Sequence, residues 1–421
     1  MEIITAVRGF KDILPKETGK WQYIEKLARE ILADFGFREI RIPILEKTEL
    51  FKRSIGESTD IVEKEMYTFL DRGDEYLTLR PEATASVIRA YLEHAMYSQD
   101  PVARLFTIGP MFRRERPQKG RYRQFHQINA EVLGLDDPRT DAEVILVLLQ
   151  FLMRAEISDL RLQINSLGCK ECRPSFRKAL SDFLRGKEGQ LCKDCQRRLG
   201  ANPLRVFDCK TVDCIKIIND APQIIDFLCP DCMDHFTKVK EALSMFEIGF
   251  EVNPKMVRGL DYYAKTTFEV VTEHLGAQNA VAGGGRYDGL LKDLGGPDIP
   301  GIGFAIGIER LISISSLTDE KFFAPPQLFI AAIGDRAQKL AFYVCNRLRT
   351  IGIQAEMGYG GKSLKSQMKR ADKLFSRYAL ILGEREISEN KAEFRDMRQG
   401  TQETIVLDHL EETITRIVKG S

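Results

Sequence analysis

Apolar residues recur near the start of the chain in two rhythms. Trp21, Ile24, Leu27, Ile31 and Phe35 fall at helical spacing with Gly36 as a stop signal, and they predict a helix. From Glu39 to Leu45 the period shortens to two. Ile40, Ile42 and Ile44 then share one face, and Pro43 marks an edge or the end of a strand. TFLDRGDEYLTLR at 68–80 predicts another extended segment, turning at Arg72-Gly73-Asp74 and running into a helix from about Pro81. Segments 102–113 and 123–133 predict a hairpin around a basic loop at 114–122, hence a strand-rich core with antiparallel pairing.

From about Ser158 to Phe250 helical stretches such as SFRKALSDFLRG alternate with cysteine pairs. Strands return in TTFEVVTEH, the glycine patch GGGRYDGL and GIGFAIGIERL. SSLTDEKFFAPP at 315–326 reads as a boundary, and beyond it strand and helix patterns alternate over about 95 residues, as in a small α/β domain. The fold class predicted is α/β (α+β). A first domain at 1–320 is interrupted by a helical cysteine-rich insertion at 160–245, and a mixed α/β domain follows at 326–421.

At 421 residues the chain exceeds one ordinary core, which agrees with that division. Its net charge of +1 means that any basic surface is local. VILVLLQFLM at 144–153 is roughly half the length a membrane span needs. MEIITAVRGFKDILPKE has no apolar signal region, so a cytoplasmic protein is expected. Eight of the nine cysteines fall between Cys169 and Cys232, and in that setting they argue for metal rather than disulfides.

Cys169-x2-Cys172 and Cys192-x2-Cys195, nineteen residues apart, fit a four-cysteine zinc site closely; Cys209, Cys214, Cys229 and Cys232 fit a second loosely. Zinc is borderline soft and takes tetrahedral thiolates without strain, so a structural Zn2+ is expected, with reduced thiols packed among helices as the alternative. GYGGKS at 358–363 is not a P-loop, because Glu356 stands where that pattern needs glycine; it predicts a turn with Ser363 capping the next helix. The glycines of GGGRYDGL let the backbone pass close to a ligand or another strand.

MFRRERPQKGRYRQFHQINAEVLG at 111–134 carries the densest candidate chemistry. Alternation puts Gln127, Asn129 and Glu131 on one face beside Phe125, and His126, Ile128 and Val132 on the other. Arg113 and Glu115 are expected on the partnering strand. Arginine grips phosphate with paired charge-assisted bonds, and an aromatic ring among polar groups can stack on a base. A solvated hairpin is the alternative, although it would usually carry Lys, Glu and Thr. RGLDYYAKTTFEV at 258–270 adds Arg258, Tyr262 and Tyr263. GIGFAIGIERL at 301–311 adds a single arginine, Arg310, which an apolar helix could instead snorkel to water.

Together these segments resemble class II aminoacyl-tRNA synthetases, and within them the histidyl-tRNA synthetase family. FREIRIPIL is similar to class motif 1, MFRRERP…RYRQFHQINAEVLG to motif 2 and GIGFAIGIERL to motif 3. RGFKDILP, LRPEATASVIRAY and RGLDYYAKTTFEV resemble signatures of the histidine enzyme, and 326–421 resembles its anticodon-binding domain. The resemblance implies a class II catalytic domain built on an antiparallel sheet flanked by helices. It implies ATP with Mg2+, L-histidine and tRNA(His) as partners, and a homodimer formed through the Pro43 segment.

It also implies roles. Arg113 would hold the α-phosphate, Arg310 the γ-phosphate and Arg121 assist at the phosphates, with Phe125 stacked on adenine and Glu115 at its amino edge. Glu82, Thr84 and Gln127 would hold the histidine ammonium. Glu131 and Tyr263 would take the ring nitrogens beside Tyr262, and Arg258 would bridge carboxylate and α-phosphate. Arg114, Arg116, Lys119, Arg121 and Arg123 would meet the tRNA acceptor end. Lys365 and Lys369, with Lys362, Arg370 and Lys373, would meet anticodon-stem phosphates, an ordinary solvated helix face being the alternative there. The zinc is not implied by the family. Two other functions compete: a synthetase-like regulatory subunit that binds histidine without charging tRNA, and a nucleic-acid-binding zinc module.

Overall fold

Helix α1 (Pro15–Asp34) begins with proline in its first turn, where a missing N–H costs nothing, and buries Trp21, Ile24, Leu27, Ala28, Ile31 and Leu32. It stops at Gly36, whose φ of +78° lets the N–H of Phe37 return to the Leu32 carbonyl at 2.9 Å. The computed structural model describes residues 3–57, 59–118, 120–275 and 279–420, and the chain divides into one unit up to Lys321 and another from Phe322.

The alternating stretch 39–45 does not form the single strand its pattern predicts. β1 (Arg38–Glu39) ends after two residues and β2 (Leu45–Lys47) starts beyond Pro43. Between them the carbonyls of Ile42 and Pro43 accept hydrogen bonds from the buried Arg80 guanidinium at 2.8 and 3.2 Å, in place of a neighbouring strand. After α2 (Thr48–Ile55), β3 (Tyr67–Leu70) and β4 (Tyr76–Leu79) form the expected hairpin, and β2 completes a three-stranded sheet in the order β2-β4-β3.

α3 (Thr84–Glu93) leads to the long hairpin of β5 (Ala103–Phe112) and β6 (Gln124–Leu133), followed by α4 (Pro138–Arg154) and β7 (Arg161–Ser166). The insertion contributes α5 (Cys172–Arg185), α6 (Lys193–Ala201), α7 (Val212–Asn219) and α8 (Pro230–Met245). The unit closes with β8 (Phe250–Val252), β9 (Ala264–Val271), β10 (Ala280–Arg286), α9 (Leu290–Asp293), β11 (Gly301–Gly307) and α10 (Ile308–Ile314). GIGFAIGIERL is therefore a strand to Gly307 and a helix only from Ile308. Eight strands join in the order β1-β5-β6-β11-β10-β9-β7-β8, antiparallel except for the parallel pairs at its two edges.

The cysteines group differently from their linear spacing. Cys169 and Cys172 meet Cys229 and Cys232, while Cys192, Cys195, Cys209 and Cys214 form a second group inside that loop. Spacing registers only the length of chain between pairs. Here the chain doubles back through α6 and α7, so the start of α8 returns to the start of α5.

The second unit contains β12 (Leu328–Ile333), α11 (Asp335–Thr350), β13 (Ala355–Met357), α12 (Leu364–Lys373), β14 (Tyr378–Gly383), α13 (Glu384–Ser388), β15 (Lys391–Asp396), β16 (Gln402–Val406) and α14 (Leu410–Lys419). Its five strands run β13-β12-β14-β15-β16. β12, parallel to both neighbours, is apolar and buried on both faces from Leu328 to Ala332, as a central strand must be. Ser363 caps α12, its hydroxyl accepting from the N–H of Ser366 at 3.4 Å.

Candidate active site

β6 turns Gln127, Asn129 and Glu131 to one face, and the strand beside it explains why there is room over them. In the register of β11, Gly307 lies opposite Gln127, Ala305 opposite Asn129 and Gly303 opposite Glu131. A Cβ on Gly303 would stand 1.8 Å from Glu131 Oε2. One strand further, Gly283 of β10 pairs with Ala305 and with Glu269 of β9. The Arg258 guanidinium lies over Gly283, where a Cβ would fall 2.7 Å from Nη1. Small residues on the inner strands thus form the floor of a cleft of about 300 Å³, and the larger polar side chains stand at its sides.

The sequence-derived residues Glu82, Thr84, Arg113, Glu115, Arg121, Phe125, Gln127, Glu131, Arg258, Tyr262, Tyr263 and Arg310 all line this cleft. Glu131 is the most deeply buried of the acids lining the cleft, at 1% exposure. Its oxygens accept from Thr84 Oγ1 at 2.7 Å and Tyr287 OH at 2.5 Å. Burial outweighs those two bonds and pushes its carboxyl up to about 8. Burial also raises Glu82, whose carboxylate caps the start of α3 by accepting from the N–H groups of Thr84 and Ala85, both at 2.8 Å. Tyr262 packs 4.7 Å from Tyr263 and 5.8 Å from Tyr287, ring to ring, and burial holds all three hydroxyls above the ordinary phenol range.

The other half of the cleft is cationic. Arg113 follows the end of β5 rather than lying on it. Its Nε donates to the Pro81 carbonyl at 2.8 Å, and its guanidinium sits 5.4 Å from the centre of the Phe125 ring. Glu115 is a loop residue, not a strand residue, and pairs with Arg121 at 2.5 Å. Arg310, on α10, donates to the Ala280 carbonyl at 2.5 Å and is pushed down to about 10, chiefly by burial and next by the Arg121 charge. Crowded cations of this kind favour a polyanion between them. Arg258 pairs with Glu269 and lies 5.5 Å from the centre of the Tyr263 ring. Three buried polar atoms, Gln127 Oε1, Asn129 Oδ1 and Arg258 Nε, have no hydrogen-bond partner among the described residues. Such atoms are costly unless a ligand satisfies them.

Glu269 and Tyr287 are among the cleft residues that no sequence pattern had singled out. Glu269 alternates with Phe268 and Val270, both fully buried, so a period-two reading of β9 could have found it. Tyr287 lies past the end of β10, and no local pattern points it at Glu131. Outside the cleft, Arg114 and Arg116 are exposed, as are Lys362, Lys365, Lys369, Arg370 and Lys373 in the second unit, and Lys119 lies outside the described residues. Arg123 is tied instead to backbone, donating to the carbonyls of Glu115 and Arg8, both at 3.4 Å.

The comparisons with known proteins bear on this geometry. A family model described as histidyl-tRNA synthetase matches residues 9–311, and one described as an anticodon binding domain matches 327–417. The histidine–tRNA ligase of Syntrophotalea carbinolica is 52% identical over 420 residues, 99% of this chain and 100% of that relative. That of Geobacter sulfurreducens is 54% identical over 415 residues, again 99% and 100%. Among solved structures, the apo histidyl-tRNA synthetase of S. aureus has a TM-score of 0.81 at 38% identity, over 98% of this chain and 99% of that one.

Proposed function

This chain belongs to the histidyl-tRNA synthetase family, and from that premise we propose that the cleft over β6 is where histidine and ATP react. The enzyme is a histidine–tRNA ligase of class II: it activates L-histidine to histidyl-adenylate and transfers the histidyl group to tRNA(His) for protein synthesis. Mg2+ enters on the phosphates of ATP, as part of that substrate.

One observation carries the assignment of the site: Arg113, Arg258 and Glu131 line a single cleft. Glu131 and Tyr263 suit the two imidazole nitrogens, while Glu82, Thr84 and Gln127 suit the ammonium group. Phe125 offers its ring to adenine and Glu115 an acceptor to the adenine amino group. Arg113 holds the α-phosphate, with Arg121 and Arg310 on the β- and γ-phosphates. Arg258 spans the histidine carboxylate and the α-phosphate. A carboxylate oxygen attacks the α-phosphorus, the bond to the bridging oxygen breaks, and diphosphate leaves in line. The side chains act by position and charge, and none becomes covalently attached. A hydroxyl of the terminal tRNA ribose then attacks the acyl carbon and AMP leaves.

Pyrophosphate exchange into ATP that depends on histidine, followed by tRNA charging, tests this reading. No exchange would overturn it and favour the regulatory subunit; exchange without charging would overturn the transfer step.

For tRNA we propose Arg114, Arg116, Lys119 and Arg123 at the acceptor end, and Lys365 and Lys369 on α12 at anticodon-stem phosphates. A second copy of the chain is proposed to cover the three-stranded sheet, where Leu45, Phe69, Leu70 and Tyr76 are 38–63% exposed next to Ile44 and the Pro43 segment. The compartment is the cytoplasm in this reading, because the tRNA is there. Structural zinc is proposed for the insertion, on the chemistry of its thiols.

A further inference from the structure

The crossing of the cysteine pairs carries more than a metal. We infer that the insertion holds two zinc ions, the inner site nested within the chain loop closed by the outer, and that together they clamp both ends of the loop carrying Arg258, Tyr262 and Tyr263.

Sulfur geometry supports the ions. Cys169 Sγ lies 3.6 Å from Cys172 Sγ and 3.9 Å from Cys229 Sγ, and Cys192 Sγ lies 3.8 Å from Cys209 Sγ. A tetrahedron with Zn–S bonds of about 2.3 Å has sulfur–sulfur edges of about 3.8 Å. A disulfide would bring two sulfurs to about 2.05 Å. Within each group all four sulfurs lie within 4.8 Å of one another. Both groups also receive backbone donors, as metal thiolates do. In the outer group the N–H of Glu171 points to Cys169 at 3.4 Å and that of Cys229 to Cys172 at 3.1 Å; in the inner, Thr211 points to Cys209 at 3.4 Å and Cys192 to Cys214 at 3.2 Å. Gly168, at φ +61°, lets the chain close on the outer site, since a Cβ there would stand 2.6 Å from Cys172 Cβ. Each ion would form four Zn–S bonds as the thiols release their protons, and no position is left for water, so the sites are structural.

Each group grips one end of the loop. Just before Cys169, Leu167 and Gly168 exchange backbone hydrogen bonds with Lys265 at 2.7 and 2.9 Å, and Arg173, next after Cys172, donates to the Tyr263 carbonyl. On the inner side Arg205, in the turn leading to Cys209, donates to the Arg258 carbonyl at 2.9 Å and to Asp261 at 2.6 Å. Tyr263 shares one apolar core with Phe176, Cys195, Cys209 and Cys214.

Elemental analysis and X-ray absorption of the full chain, purified reduced with zinc supplied, should find two zinc ions per chain in all-sulfur shells. Fewer than two, or oxygen and nitrogen in the shell, overturns the metal assignment. Nesting predicts that Cys172→Ser/Cys232→Ser keeps one zinc while Cys172→Ser/Cys195→Ser keeps none; sequential pairing predicts the reverse. Pulsed alkylation of the wild-type chain during chelator stripping needs no variant. It should release Cys169, Cys172, Cys229 and Cys232 as one set, and a set joining Cys172 to Cys195 instead overturns nesting. The clamp rests on the ligase reading and has its own readout. In Cys195→Ser kcat/KM for histidine should fall on the order of 10²-fold, the scale of a misplacement of about 1 Å, with the KM for ATP changing far less. An equal loss for histidine and ATP would sink the clamp and leave the metal count standing.

Discussion

β6 and β12 are each central to their sheet, yet they bury opposite things. β12 is apolar on both faces. β6 buries Ile128, Ala130 and Val132 on one face, each 1% exposed, and Asn129 and Glu131 on the other at 2% and 1%. A buried carboxylate costs several kcal/mol unless partners compensate it, and Glu131 has Thr84 and Tyr287 but, among the described residues, no cation within hydrogen-bond reach. The strand in the second unit is shaped by stability alone. The one in the first unit gives stability up on one face and recovers it by packing the other.

Breaking the polar face should therefore cost activity far more than fold. Glu131→Ala should lower kcat/KM for histidine by orders of magnitude, up to about 10⁴, because a site made to bond the ring loses its discriminating acceptor. The KM for ATP should stay near wild type in pyrophosphate exchange, and an equal loss in both would show the residue to be a scaffold. Arg258→Ala should cost about 10²–10³ in the rate of adenylate formation, the scale of a lost oxyanion donor. Near-wild-type turnover in single-turnover kinetics would remove it from the mechanism.

The cost to stability is itself measurable. The folded chain holds the Glu131 proton up to about pH 8, whereas an unfolded chain releases it near the ordinary value of 4.5. Folding thus binds a proton across that window, and the contribution is lost as pH rises through it. Glu131→Gln keeps an acceptor for Tyr287 and offers an amide donor to Thr84, without the charge. Relative to wild type, the variant should gain stability steadily from about pH 5 to 8, by a few kcal/mol at about 1.4 per pKa unit. Chemical denaturation across that range checks it, and parallel profiles would mean that the carboxyl is ionised throughout.

The same contrast explains how much was legible. β12 is a continuous apolar run and β6 a strict alternation, and both are local patterns that a strand must display. The cleft face followed from Gln127, Asn129 and Glu131 because one strand carries all three. Pairings between distant segments leave no such trace. Tyr287 reaches Glu131 across 156 positions, and the cysteines join 60 positions apart. The stretch 39–45 departs from a continuous strand for a related reason: Arg80, from another segment, takes the carbonyls that a strand partner would have held.

The smallest expected effect tests the second unit, where charge stays outside. α12 buries Gln367 and Ala371 and exposes Lys365 and Lys369. Buried Gln367 bonds the backbone of Ala332 at both its N–H and its carbonyl, at 3.0 and 2.9 Å, which fixes α12 against β12. The lysines can then be changed without disturbing the core. Lys365→Gln/Lys369→Gln should leave histidine-dependent pyrophosphate exchange untouched and weaken tRNA binding severalfold. The decisive quantity is the salt dependence. Each phosphate left without its lysine should reduce the slope of log K against log salt by about 0.7–0.9. A fall of roughly 1.5 in the double variant would place both lysines on the tRNA backbone, and an unchanged slope would make this face of α12 merely solvated.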